Sequence, residues 1–169
     1  MTSISPEDKD NLYCQIIYGL QPLMPNHRIM DLLLLESVKG VKQQQPHTDF
    51  TDFDSANRLE CGYCYLKGQL NNDNYLSQYS ENNNMSYSFI IALYDNTPLY
   101  FFYKNPHDET NYIRRDRVVL NKYEGIIWEA LTIHCGAEYN EYNARLFGKF
   151  VSKVVPDKEG YFSWENKDI

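Results

Sequence analysis

Residues Gln43–Asp54 read Q-Q-Q-P-H-T-D-F-T-D-F-D, and at their centre stands His47-Thr48-Asp49. On a β-strand, residues i and i+2 face the same side. An imidazole and a carboxylate then project side by side, about 6–7 Å apart along the backbone, and both can bend toward one cation. Such a pair needs a third ligand. The late stretch Leu131-Thr132-Ile133-His134-Cys135-Gly136 offers His134, at the end of an apolar run that begins at Gly125. Two imidazoles and one carboxylate on one face of a metal leave its remaining positions open, the pattern of non-haem Fe(II) sites.

Arg145 lies eleven residues beyond His134, on the next expected strand. If 125–134 and 144–155 pair as a hairpin, the guanidinium enters the interior near the metal. A cation in a cavity requires an anion, and the fork of an arginine matches a carboxylate. A metal with an arginine nearby suits a dicarboxylate: one end chelates, the other pairs. Taken singly, His47 reads as a surface strand histidine and His134 as a satisfied core histidine. The order of the four residues is what argues for a site.

Working outward, Ser5-Pro6-Glu7-Asp8 is a helix start, with a capping serine, proline at the first position and acids in the first turn. Leu12, Ile16, Ile17 and Leu20 follow at helical spacing, so a helix is expected over 6–18, packed on a sheet. Strands are expected at Ile29–Ser37, Val41–Phe50, Leu59–Lys67, Tyr112–Asn121, Gly125–His134 and Ala144–Val155. Tyr87–Tyr94 and Leu99–Lys104 read as a hairpin across Asp95-Asn96-Thr97-Pro98. Residues 69–86, rich in Asn, Ser and Tyr, read as a long surface loop. About eight short strands and one helix predict a mainly β protein, a sandwich or barrel such as a jelly roll. One domain is expected over 1–169, with a β core over 29–155 and a polar tail over 156–169.

Composition narrows the class. Of 169 residues 43% are apolar and 15% aromatic, which excludes a disordered chain. Sixteen basic against 23 acidic residues give a net charge of −7, so a broad basic nucleic-acid surface is not expected. No apolar run is long enough to span a membrane, and the first residues lack a basic start and an apolar signal core. Four cysteines read as reduced thiols, and an intracellular, cytoplasmic location is expected. Cys61-Gly62-Tyr63-Cys64 has no partner motif, so a zinc or redox role is the lesser reading beside a structural one. Arg114, Arg115 and Arg117 read as a solvated strand edge, Cys14 as helix packing, and His27 and His107 as exposed turn residues.

His47-Thr48-Asp49, His134 and Arg145 together resemble the Fe(II)/2-oxoglutarate-dependent dioxygenase superfamily, and within it the prolyl-hydroxylase-like branch. The flanks carry the likeness too. Leu34-Leu35-Glu36-Ser37, Gly40 and Gln44 precede His47, and His134-Cys135-Gly136-Ala137 is followed by Asn143-Ala144-Arg145-Leu146-Phe147. The likeness covers about Ile29–Val151. It implies a double-stranded β-helix (jelly roll) with a short N-terminal helix. It implies Fe(II) held by His47, Asp49 and His134, with Arg145 binding the far carboxylate of 2-oxoglutarate. The implied reaction uses O2 and 2-oxoglutarate to hydroxylate a C–H bond, yielding succinate and carbon dioxide. Many members add a Tyr or Thr contact to 2-oxoglutarate; Tyr63, Tyr65, Tyr87 and Tyr94 compete for it. Nucleic-acid demethylases of the superfamily carry a second arginine soon after the first, and Leu146–Phe150 has none. A protein side chain or a small molecule is therefore the expected substrate, ahead of nucleic acid. Two rivals stand beside this reading: a jelly-roll binding or assembly module without turnover, with or without metal, and a cupin-like oxygenase without 2-oxoglutarate.

Overall fold

The computed structural model describes residues 6–49, 65–68, 86–105, 108–130 and 132–153. Helix α1 spans Pro6–Leu20 and passes into a 3-10 turn, Gln21–Leu23. Eight strands follow among the described residues: β1 (His27–Ser37), β2 (Tyr65–Gly68), β3 (Tyr87–Ala92), β4 (Thr97–Asn105), β5 (Asp108–Leu120), β6 (Gly125–Glu129), β7 (His134–Gly136) and β8 (Asn143–Ser152). They form a five-stranded sheet in the order β1-β8-β3-β6-β2 and a three-stranded sheet in the order β5-β4-β7. All pairings are antiparallel. From β3 to β8 the chain crosses repeatedly from one sheet to the other. The fold is the mainly β, double-stranded β-helix (jelly roll) with a short N-terminal helix that the sequence predicts.

Side-chain alternation separates two cores. Tyr87, Phe89, Ile127 and Phe150 point to the outer face of the five-stranded sheet, where Leu20, Met24 and Ile16 cover them. Ile90, Leu99, Phe101, Ile126, Trp128 and Phe147 fill the space between the sheets. All ten residues of β8 are buried, as expected of a strand packed on both faces. Gly148 permits this packing, because a Cβ there would lie 2.4 Å from the Phe89 ring. Alternation places Arg145 and Lys149 on the same face of β8 as Phe147, toward the interior. Lys149 pairs with Asp31 at 3.0 Å.

Several expected elements form differently. Tyr87–Tyr94 and Leu99–Lys104 are not a hairpin, since β3 and β4 belong to different sheets. β3 already has β6 and β8 on its two edges. Leu93 N–H donates to Ala144 O at 3.0 Å, so no edge remains for β4. The true hairpin is β4–β5, where Asn105 pairs with Asp108. The expected strand Gly125–His134 is two strands in two sheets. Thr132 N–H donates to Glu129 O and Ala130 N–H to Ser86 O, turning the chain between them. β7 and β8 likewise face each other across the barrel rather than pairing. β1 begins at His27, whose side chain is buried against Tyr87 rather than exposed, and Cys14 is exposed rather than packed. Arg117 is exposed on β5, an edge strand. Residues 59–64 of the expected strand Leu59–Lys67, residues 69–85 of the expected loop over 69–86, residues 154–155 of the last expected strand, the tail over 156–169, Cys61, Cys64, His107 and the side chains of Arg114 and Arg115 lie outside the described residues.

Val41–Phe50 is the correction that bears on the site. Residues 41–49 are not a strand; only an isolated bridge joins His47 to His134. His47 and His134 exchange both backbone hydrogen bonds, each 3.0 Å. The next bond to β7 starts from Gln44, whose N–H donates to Gly136 O at 3.0 Å. Three residue steps on one side thus match two on the other, and Pro46 within them has no N–H to donate.

Candidate metal centre

The bridge at His47 brings the histidines together: their ring centroids are 4.8 Å apart. Asp49 Oδ2 lies 3.3 Å from His134 Nε2 and Asp49 Oδ1 3.9 Å from His47 Nε2. One ligand atom from each of the three residues lies within 4.8 Å of the others. Strand pairing fixes His134, while Trp128 packs on its ring at a centroid distance of 4.6 Å.

Hydrogen bonds assign the tautomers. His47 Nδ1 lies 2.8 Å from Gln45 O and His134 Nδ1 3.0 Å from Thr132 O. A carbonyl only accepts, so both Nδ1 atoms carry a proton and both Nε2 atoms face Asp49. Burial lowers the pKa of His134; Asp49 opposes this, and His47 adds to it. Its ring is therefore neutral near pH 7, and the 3.3 Å approach to Asp49 sets a lone pair against a carboxylate. Asp49 Oδ2 accordingly has no hydrogen-bond partner. Of the two descriptions of this contact, ion pair and unsatisfied acceptor, the neutral imidazole selects the second. A cation shared by the three residues resolves the conflict, and a backbone-anchored Nδ1–H is how metal-bound imidazoles are usually held.

A cavity of about 340 Å³ is lined by His47, Asp49 and His134 and also by Arg145. Leu35, Ile90, Leu99 and Phe147 give it apolar walls. Arg145 is buried, donates to Ser37 Oγ at 2.9 Å and stands 5.1 Å from the Tyr139 ring. Among the described residues no carboxylate pairs with it. Burial pushes its pKa down from a very high value, an effect partly opposed by Tyr139; a guanidinium stays protonated regardless. Burial raises the Tyr139 pKa, with Arg145 opposing, so the phenol keeps its proton. Its Oη is buried without a hydrogen-bond partner. Gly136 leaves room at this end, since a Cβ there would lie 2.7 Å from Gln44 Oε1 and 3.5 Å from Arg145 Nη2.

The four residues singled out in the sequence thus line one cavity. Tyr139 was missed because it sits in the β7–β8 connection, where no periodicity marks an inward residue. Of the tyrosines expected as a second contact, Tyr87 is in the outer core and Tyr94 is partly exposed. Tyr63 and the Tyr65 side chain lie outside the described residues. Cys135 packs with Tyr100, Phe102 and Ala137, away from the ligand atoms.

No protein-family model and no curated protein matches the chain. Among solved structures it is similar to the non-heme alpha ketoglutarate dependent epimerase SnoN from nogalamycin biosynthesis. The TM-score is 0.53 at 14% identity, over 85% of this chain and 56% of that one. It is also similar to AviO1 from Streptomyces viridochromogenes, with a TM-score of 0.49 at 9% identity over 92% and 65% of the two chains. The chain thus spans less than two thirds of the length of either. At 14% identity the likeness to SnoN shows the fold alone, and it singles out no branch, the prolyl-hydroxylase-like one included. Among the described residues no helix is long and apolar enough to cross a membrane.

Proposed function

We propose that this protein is an Fe(II)- and 2-oxoglutarate-dependent dioxygenase that hydroxylates a C–H bond of a protein side chain or a small molecule. The observation that carries the reading is the shared cavity: three convergent ligand atoms line the same space as a buried guanidinium that pairs with no carboxylate among the described residues. The donor set fits the metal, because one ligand atom from each of two imidazoles and one carboxylate already converges within 4.8 Å, and Asp49 Oδ2 among them is buried without a hydrogen-bond partner. The other end fits a carboxylate, because among the described residues no carboxylate pairs with Arg145, and Tyr139 Oη is buried without a hydrogen-bond partner.

In this reading His47, Asp49 and His134 hold Fe(II), and Arg145 pairs with the far carboxylate of 2-oxoglutarate. Tyr139 donates its phenol proton to the same carboxylate. Leu35, Ile90, Leu99 and Phe147 keep water from the space between the two ends. Bound iron with 2-oxoglutarate supplies the oxygen activation, as succinate and carbon dioxide leave. SnoN, described as alpha ketoglutarate dependent, supports this co-substrate on this fold. We further read residues 1–169 as one domain working inside the cell.

The test is anaerobic titration of Co(II) and 2-oxoglutarate, followed by succinate release with Fe(II) in air. Both ligands should bind, and succinate should form above background even without the true substrate. Binding of metal without 2-oxoglutarate would favour an oxygenase that does not use it. Binding of both without turnover on a broad substrate panel would favour a binding module.

A further inference from the structure

Segment 41–49 carries two of the three candidate ligands, and two anchors among the described residues tie it to β7. One is the reciprocal backbone pair of His47 and His134. The other is Gln44. Its N–H donates to Gly136 O at 3.0 Å, and Gly136 N–H donates back to Gln44 Oε1 at 2.9 Å. In an uninterrupted antiparallel ladder both acceptors would be backbone carbonyls. The extra residue between Gln44 and His47 displaces that carbonyl, and the amide oxygen of Gln44 takes its place. Gly136 N–H would otherwise be left without this acceptor in a largely buried place.

The same amide also borders the anion end. The point where a Gly136 side chain would begin is 2.7 Å from Gln44 Oε1 and 3.5 Å from Arg145 Nη2. Gln44 and the guanidinium therefore flank one small space, which glycine keeps open. The neutral amide supplies a strong acceptor to β7 without bringing a negative charge to Arg145.

We propose that Gln44 is a positioning residue that locks the register of the His47–Asp49 segment and keeps the seat beside Arg145 open to an anion. The proposal rests on the metal and co-substrate reading above. It assigns Gln44 two separable properties, accepting the Gly136 proton and being uncharged. Gln44→Glu keeps the first and loses the second; Gln44→Ala does the reverse.

Three readouts separate them: Co(II) affinity from its visible absorption, 2-oxoglutarate affinity by calorimetry at saturating Co(II), and hydrogen exchange of the Gly136 amide. Gln44→Ala should weaken Co(II) binding about tenfold or more and speed Gly136 exchange, the scale for losing a contact that orients a metal ligand. Gln44→Glu should leave Co(II) affinity within about threefold and weaken 2-oxoglutarate about tenfold or more, through a charge competing for Arg145. Gly136→Ala, whose methyl displaces the amide and enters the seat, should show both losses. If wild type binds neither ligand, the functional reading fails and the proposal with it. If wild type binds both, and the Gln44 variants match it or lose both affinities equally, the proposal is overturned and the reading survives. Gln44→Glu keeps the test decisive should Gln44→Ala fail to fold.

Discussion

The two sheets hold the two halves of the candidate site by opposite means. Arg145 stands on β8, ten buried residues laddered to β1 on one side and β3 on the other. His134 stands on β7, three residues long, laddered to β4 and otherwise tied to an irregular segment. A lone buried cation needs a scaffold that will not relax around its desolvation, and a doubly paired strand provides one. In the proposed metal site three ligand atoms would instead draw together on one ion, and the segment that carries two of them meets β7 through an isolated bridge rather than a ladder. The five-stranded sheet is therefore the scaffold, and the edge of the three-stranded sheet is the adaptable part.

The largest effect expected from this contrast lies in the scaffold. Trp128→Ala removes a fully buried side chain that packs on Phe101 and His134. It should cost about 3–5 kcal/mol in urea unfolding, the range for aromatic deletions in a core. Pro46→Ala on the irregular segment should change stability by less than about 1 kcal/mol; comparable losses would abolish the distinction. Next comes Asp49→Ala. Co(II) affinity should fall by more than about 100-fold, beyond what losing a supporting contact costs. Stability should hold or rise, because an unsatisfied buried carboxylate disappears. Unchanged metal affinity by calorimetry would remove Asp49 from the site.

Arg145→Met sharpens the contrast, because binding and stability should move in opposite directions. The affinity for 2-oxoglutarate should fall by at least about 2 kcal/mol, the lower end for truncating one partner of a buried charge pair. The unliganded fold should hold its thermal midpoint or gain, since an uncompensated buried charge is replaced by a side chain of similar length. A variant that bound 2-oxoglutarate like wild type would mean that the co-substrate lies elsewhere.

Why the site was easier to read than the path to it follows from the same contrast. His47, Asp49, His134 and Arg145 carry functional groups whose chemistry is legible from residue type and order. Strand edges are not. Nothing in Tyr87–Lys104 says that β6 and β8, the latter more than fifty residues away, will take both edges of β3. Nothing in the apolar run from Gly125 marks the turn closed by Thr132 and Glu129. Both errors joined segments adjacent in sequence that the barrel sends to opposite sheets. The irregularity of 41–49 was partly visible, since Pro46 cannot donate in a ladder. The substitution of Gln44 for a backbone acceptor depends on a register that only β7 sets.

Tyr139→Phe tests a smaller contact at the Arg145 end. It should weaken 2-oxoglutarate by about 1 kcal/mol, the worth of one hydrogen bond, and leave Co(II) affinity alone. The smallest effect lies at the rim. Tyr142 Oη donates to Glu36 Oε1 at 2.5 Å, tying the β7–β8 connection to β1 beside the cavity. This bond, with partial desolvation and the charge of Glu36, pushes the Tyr142 pKa up to about 12 from 10.0. The folded state thus holds this proton more tightly than the unfolded chain. By linkage the contribution is complete below pH 10, declines as pH rises, and is lost once pH passes the folded value near 12. Solvent screening at this exposed pair keeps the effect slight. Denaturation midpoints followed from pH 8 to 11 should fall more steeply for wild type than for Tyr142→Phe. Parallel slopes would show that this bond does not hold the connection, which leaves β8 and the backbone bonds of Ala137 and Tyr139 to extend the scaffold to the rim of the site.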